Sequence, residues 1–343
     1  MTLTKRHSTF AMAGVATLAL VLSGCSSAGG NQSAEEQQSE QVDQAVEDTA
    51  SAECAYPVTV TDMAGNEVTI ESADSVAVTD NRTFAVLNEW GVQPTAAPRT
   101  LMSPHNSWAE DETILDTGSH AEPNFDQVIA AEPTVIINGY RYRDHAEKMQ
   151  EAAPDAALVA MDNADLSPDE YAIAQVTLLG EVFCKQDEAA ALIDQFHTAV
   201  EDAKAAYDPA MTVMGLVTNA NEIRYSNPAD GRGASIFFNL LDLTPALDAE
   251  GSTNHQGDDI SIEAIAESNP DFFLVLDRDA AVTSDGETTP ALELINGSTA
   301  LAGVSAVQNQ AIYVMPADYY LTEDIYAYID VLGGLQQAFT EHK

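Results

Sequence analysis

The sequence predicts an α/β fold of two similar lobes flanking a ligand cleft, and three observations carry that expectation. First, Asn124-Phe125-Asp126 leading through Glu132-Pro133 to Arg141, and Ser261-Ile262-Glu263 leading through Asn269-Pro270 to Arg278, repeat the same residue types at the same spacing. In each copy a cap residue opens a short helix, an acid follows two positions later, and a proline breaks the chain. A short apolar run and an arginine complete the unit, which reads as helix, break, buried strand and a cation just past the strand's carboxyl end. Open α/β sheets bind ligands at that end of their strands, so two copies would present cations to a shared cleft. Second, further short apolar runs separated by turn residues supply the remaining strands. Third, Asp187 to Tyr207 is the longest helical pattern, with Leu192, Phe196, Ala199, Val200, Ala203 and Tyr207 on one stripe, and it falls between the two units as a candidate rigid bridge.

The elements follow in order. Val58 to Ile70 alternates β-branched residues around Met63-Ala64-Gly65-Asn66 and predicts a hairpin. Ser75–Thr79 is a buried strand, and Asp80-Asn81-Arg82 opens a helix that stops at Trp90-Gly91. Ala157–Met161 is another strand. Ser167-Pro168-Asp169-Glu170 is a capping box with proline at the first helical position, starting a helix that runs to Phe183. Asp208-Pro209 ends the long helix, Thr212–Val217 begins the second lobe, Ala311–Met315 is the last strand, and residues 323 to 340 form a closing helix.

The first 24 residues read as an export signal. Lys5, Arg6 and His7 precede an apolar run, Phe10 to Leu22, that is too short for a membrane span of roughly 20 residues. Leu22-Ser23-Gly24-Cys25 resembles the bacterial lipobox, which implies cleavage before Cys25 and a palmitate-bearing diacylglyceryl thioether on it. Residues 25–54 are polar, lack the apolar surface needed to fold, and read as a tether. The remaining chain is long enough for one large lobe or two small ones, each with its own core. Cys54 and Cys184 are left to form a disulfide in an oxidising compartment or to stand as two buried thiols.

Charge narrows the partners. Asp and Glu number 55 against 13 Lys and Arg, a net of −42, which excludes nucleic acid. Cations are scarce, so their placement is informative. No enzyme signature stands out: Gly231-Arg232-Gly233 lacks the third glycine of a dinucleotide fingerprint, and no Walker A loop or Gly-x-Ser-x-Gly elbow occurs. His105, His120, His145 and His197 do not have zinc-ligand spacing.

The lipobox, the opening hairpin, the twin helix–proline–strand units and the long central helix together resemble the iron–siderophore/cobalamin class of ABC-transporter substrate-binding lipoproteins, over about residues 55 to 340. The resemblance implies two Rossmann-like lobes, 55–186 and 208–343, joined by a single long bridging helix, 187–207. It also implies a non-catalytic monomer, held by lipid on the outer face of the cytoplasmic membrane, that passes its cargo to a permease dimer. Ferric catecholate siderophore binders are the nearest likeness, with no intrinsic cofactor and iron carried as the chelate; haem or cobalamin is the alternative cargo.

Within that likeness, arginines after corresponding strands are ligand-binding candidates: Arg141, Arg232 and Arg278, with Arg143 as an alternative to Arg141 and Arg82 a weaker candidate. Guanidinium suits a polyanionic aromatic chelate because it donates in a fork and stacks on rings. For any one of them the competing reading is a salt bridge to one of the many acids. Some relatives complete the iron coordination with a histidine and a late-loop tyrosine, which points here to His255 with Tyr319 or Tyr320. Asp126 and Glu263 stand where the class docks its permease, Glu122 being a substitute for Asp126; alternatively they are first-turn acids favoured by the helix dipole.

Overall fold

The computed structural model describes residues 54–343 apart from 248, 250, 252 and 283–287. The expected signal peptide, the lipid-bearing Cys25 and the tether up to Glu53 lie outside the described residues. The chain begins at the hairpin: Val58–Thr61 pairs antiparallel with Glu67–Ile70, Val58 opposite Ile70. Asp62 closes its turn by accepting from the Asn66 backbone N–H at 2.7 Å, and Met63 N–H donates to Ala160 O, fastening the hairpin to the first sheet.

That sheet is wholly parallel. Its strands run Leu115–Asp116, Ala96–Ala97, Val76–Val78, Val135–Asn138 and Ala157–Ala160 from one edge to the other. The second sheet orders Thr244–Pro245, Thr212–Asn219, Phe272–Asp277 and Ile312–Val314 in parallel. Glu222–Ser226 folds back antiparallel on Thr212–Asn219 through Ala220 and Asn221, both at positive φ, as a two-residue hairpin turn requires. Near-continuous apolar runs such as Phe272-Phe273-Leu274-Val275-Leu276 are what strands covered on both faces need.

The sequence echo is a structural one. Helices Phe125–Ala131 and Ile262–Ser268 both end on a left-handed residue, Glu132 and Asn269, each at φ 45°, directly before the proline. The following strands, Val135–Asn138 and Phe272–Asp277, both lie beside the leading strand of their sheet. The capping differs between copies. Ser261 Oγ accepts from Ala264 N–H at 3.1 Å, whereas Asn124 makes no side-chain cap; its own N–H is tied back to Thr117 O instead.

Two consecutive helices carry the chain from one sheet to the other, Pro168–Phe183 and Gln186–Ala206. The expected capping box is present, with Ser167 N–H donating to Glu170 Oε2 at 3.0 Å. Cys184 takes the left-handed turn between the helices, and a disulfide joins it to Cys54. The closing helix, Ile325–Glu341, packs along Gln186–Ala206, with Phe196 against Tyr328. One buried core runs through these helices and includes residues of both sheets, such as Val78, Val135, Val213 and Leu274. The sheets therefore share apolar packing as well as a covalent connection, and their carboxyl ends open on a common cleft.

Candidate functional site

Each wall of the cleft is built by a strand running into a short turn. Beyond Val135–Asn138, Gly139 lies so close to Asp80 that a Cβ would collide with a carboxylate oxygen, so only glycine fits. Tyr140 follows at φ 46°, its N–H held by Asp162 Oδ2 at 2.6 Å. A 3-10 helix, Tyr140–His145, then buries Tyr142 and turns Arg141 and Arg143 into the cleft. On the opposite wall Asp277 ends its strand by accepting from Ala280 and Ala291 N–H, and Arg278 projects from the turn. Arg232 comes from the loop after Glu222–Ser226, where Gly231 passes the Asn227 backbone too closely to admit a Cβ.

The cleft has a volume of about 700 Å³, and its lining contains Arg141, Arg143, Arg232, Arg278, His120, His255, Tyr140 and Tyr320 but a single acid, Asp144. In a chain of net charge −42 that is a concentrated reversal of sign. Tyr320 is the organising aromatic. Its ring lies beneath the Arg232 guanidinium at 4.1 Å and near that of Arg278 at 5.2 Å. Arg278 Nε donates to Tyr320 Oη at 3.1 Å and its Nη1 to Asn219 Oδ1 at 2.5 Å.

Below the cleft floor sits Glu323, buried and left-handed at φ 41°. Its carboxylate takes Arg232 Nε at 2.8 Å, Arg232 Nη2 at 3.0 Å, Arg82 Nη2 at 3.1 Å and Tyr140 Oη at 3.1 Å. Burial alone would raise this carboxyl; Arg232 and Arg82 hold it down to about 2. Burial would likewise lower Arg232, but Glu323 keeps its pKa above the usual value. The histidines are depressed. Burial, then Arg278, Arg232 and Arg141, lowers His255, and burial with Arg141 and His145 lowers His120. Both therefore stand as neutral imidazoles near neutral pH, able to accept.

Two expected contributors are placed elsewhere. Arg82 is buried under the Tyr140 ring, 3.7 Å from its centroid, and is committed to Glu323 rather than lining the cleft. Tyr319 points into the core, donating to Gly233 O and packing on Phe237 and Tyr328. The next residue alone faces the cleft, because a helical turn sends neighbouring side chains in different directions. Arg143 is partly drawn to Asp162 at 3.8 Å and remains 59% exposed, while Arg141 contacts only the Tyr140 ring among the interactions described. Asp126 and Glu263 are both exposed on the first turns of their helices. Sequence reasoning missed Glu323, which is one acid among 55, and His120. Tyr140 was visible inside the Tyr140-Arg141-Tyr142-Arg143 run but had no assigned role. Among the described residues no three or more His, Cys, Asp or Glu side chains group as a metal site.

Residues 76–319 match the family described as Periplasmic binding protein. The chain belongs to that family. Members capture substrates without transforming them, so this binding protein is not an enzyme. It is 26% identical over 250 residues to the petrobactin-binding protein YclQ of Bacillus subtilis, covering 72% of this chain and 76% of that one. It is 23% identical to the ferric-anguibactin-binding protein FatB of Vibrio anguillarum, covering 78% and 82% respectively. Among solved structures, the periplasmic catecholate-siderophore binding protein VctP of Vibrio cholerae superposes with a TM-score of 0.69 at 20% identity, over 82% of this chain and 99% of that one. The α/β architecture of two sheets linked by helices is thus the periplasmic binding protein fold.

Proposed function

We propose that this protein captures a ferric siderophore, a catecholate in the first instance, and hands it to an ABC importer for iron uptake. The single observation that carries the reading is the cleft with four arginines and one acid in an otherwise acidic chain. A ferric tris-catecholate is a polyanion with oxygens and aromatic rings on its face, and guanidinium groups engage both. The relatives' ligands, petrobactin and ferric anguibactin among them, support an iron chelate as cargo. Iron would arrive with donors of its own. A chelate with fewer than six donors would leave positions that neutral His255 and the Tyr320 phenolate could fill.

The same reading gives the remaining parts their roles. Gln186–Ala206, packed on the closing helix within the shared core, supports a rigid bridge between two Rossmann-like lobes, so that binding needs little hinge motion. Asp126 and Glu263, exposed and equivalent in the two repeats, are the acids offered to a permease dimer. Cys25 would carry the lipid that holds a monomer at the outer face of the membrane.

The test is a fluorescence titration of the purified protein with ferric catecholate, ferric hydroxamate, haem and cobalamin. Saturable quenching by ferric catecholate well below the concentrations needed for the others is expected. Tighter haem or cobalamin binding would replace this reading.

A further inference from the structure

The repeat that builds the two walls of the cleft is broken at its arginines. Arg278 donates Nε to Tyr320 Oη at 3.1 Å and Nη1 to Asn219 Oδ1 at 2.5 Å, which leaves Nη2 for a ligand. Arg232, on the same wall, donates Nε and Nη2 to Glu323 and Nη2 also to Tyr320 O, which leaves Nη1. The Tyr320 ring stands 4.1 Å from one guanidinium and 5.2 Å from the other. This wall therefore offers single donors beside an aromatic ring.

Arg141 is the counterpart of Arg278 in the first unit, and its state is different. It lines the cleft but makes no hydrogen bond or ion pair among the described residues, its guanidinium standing 5.7 Å from the Tyr140 ring centroid. Asp144, the acid of the lining, forms no ion pair with it. Its charge reaches histidines of both walls: it helps to lower His120, after burial, and His255, after burial, Arg278 and Arg232. Neutral imidazoles supply no counter-charge, so Arg141 keeps both its charge and its whole planar fork for a ligand.

Geometry decides what each kind of donor can hold. Catecholate oxygens bound to iron point at the metal, and their remaining lone pairs diverge. Single N–H groups beside an aromatic ring suit them. A carboxylate presents two coplanar oxygens whose lone pairs run parallel, the shape that an unoccupied guanidinium edge matches. A chelate with threefold symmetry would show the same groups to both walls, and the walls are not the same.

We propose that Arg141 holds a free carboxylate of the ligand, one not bound to iron. The cargo is then an unsymmetrical catecholate chelate seated in one orientation, its carboxylate on the first wall and its iron and catechol rings toward Arg232, Arg278 and Tyr320. The assignment rests on ferric-siderophore capture as proposed above and names the class of chelate.

The probe is the ferric complex of lysine acylated on both amines by dihydroxybenzoic acid, a bis-catecholate with one free carboxylate. It is compared with the primary amide of the same molecule, whose iron-binding groups are identical, by fluorescence titration of the purified protein. The acid is expected to bind about tenfold more tightly than the amide. Arg141→Gln should bring that ratio to about one while still binding the amide saturably, which excludes misfolding. Arg278→Ala should weaken acid and amide alike and keep the ratio. Arg141→Lys, with the charge but without the planar fork, should restore little of it. Equal affinities in the parent protein, a ratio that survives Arg141→Gln or disappears in Arg278→Ala, full restoration by lysine, or loss of acid and amide together in Arg141→Gln each overturn the carboxylate assignment. Absence of saturable quenching by either form in the parent overturns siderophore capture and this assignment with it, whereas binding of both without preference overturns the assignment alone.

Discussion

Arg232 and Glu323 form a forked pair, Nε to Oε1 at 2.8 Å and Nη2 to Oε2 at 3.0 Å, with the carboxylate side chain only 7% exposed. The same carboxylate receives Arg82 and Tyr140 from the first lobe, so one buried acid ties both walls of the cleft together. The pair also aims Arg232: two of its nitrogens are occupied from below and its face rests on Tyr320.

Removing one partner of a buried charge network leaves the others uncompensated, a loss of about 3–5 kcal/mol. Glu323→Gln is therefore expected to lower stability by about 3 kcal/mol in chemical denaturation and to weaken chelate binding in the fluorescence titration. The carboxyl is depressed in the folded chain, so its contribution is complete above about pH 4.5 and is lost as pH falls toward about 2.

Asp80 behaves in the opposite sense. Burial raises its carboxyl to about 7, against the opposing influence of Arg82 and the Gln175 side chain. A carboxyl that holds its proton more tightly when folded contributes stability that is complete below about pH 4 and is lost as pH rises through about 7. Asp80→Asn should flatten the fall in melting temperature between pH 4 and 8, a difference of up to roughly 4 kcal/mol. Some slope should remain, because burial raises Asp324 to about 6 as well. A variant that tracks the parent at every pH would refute the assignment.

Arg278 reaches the cleft surface, whereas Arg224 is occupied by Glu222 and Asp259 on the outer edge of its sheet. Arg278→Ala is expected to weaken ferric tris-catecholate about 10- to 100-fold, equivalent to about 1.4–2.8 kcal/mol, and Arg224→Ala to leave affinity unchanged. Arg278→Lys should recover little, since an ammonium cannot serve Tyr320, Asn219 and a ligand with one planar fork.

His255 is held neutral by burial and three nearby arginines, and it lines the same cleft as Tyr320. With a tetradentate ferric complex, His255→Ala and Tyr320→Phe are each expected to shift the visible charge-transfer band. With a hexadentate tris-catecholate neither should, because no iron position is open. An unmoved band in the tetradentate case removes both residues from the iron.

Association should carry the mark of the chain's overall charge. The surface carboxylates repel an anionic chelate at long range, and their influence fades beyond about 8 Å at physiological salt while direct contacts persist. Stopped-flow quenching should show the association rate rising as salt is raised from about 10 to 150 mM. A falling rate would mean that the arginine cleft dominates even at distance.

The repeated unit was legible because helix stop, proline, apolar run and arginine are all local signals, and each is set by backbone sterics or by the period of the apolar residues. From that pattern came the paired units, the strands after Pro133 and Pro270, and Arg141 and Arg278 at strand ends, while the long helix was legible separately from its own apolar stripe. Other facts were decided by the fold. Tyr319 and Tyr320 are adjacent, alike in sequence and both buried, yet a single helical turn packs the first among core rings and sets the second in the wall of the cleft. Arg82 resembled its fellow arginines until a buried acid more than two hundred residues later claimed it. Glu323 itself carried no local signal, because a carboxylate's role depends on which charges the folded chain brings within about 3 Å, and that is a property of two lobes meeting rather than of any one segment.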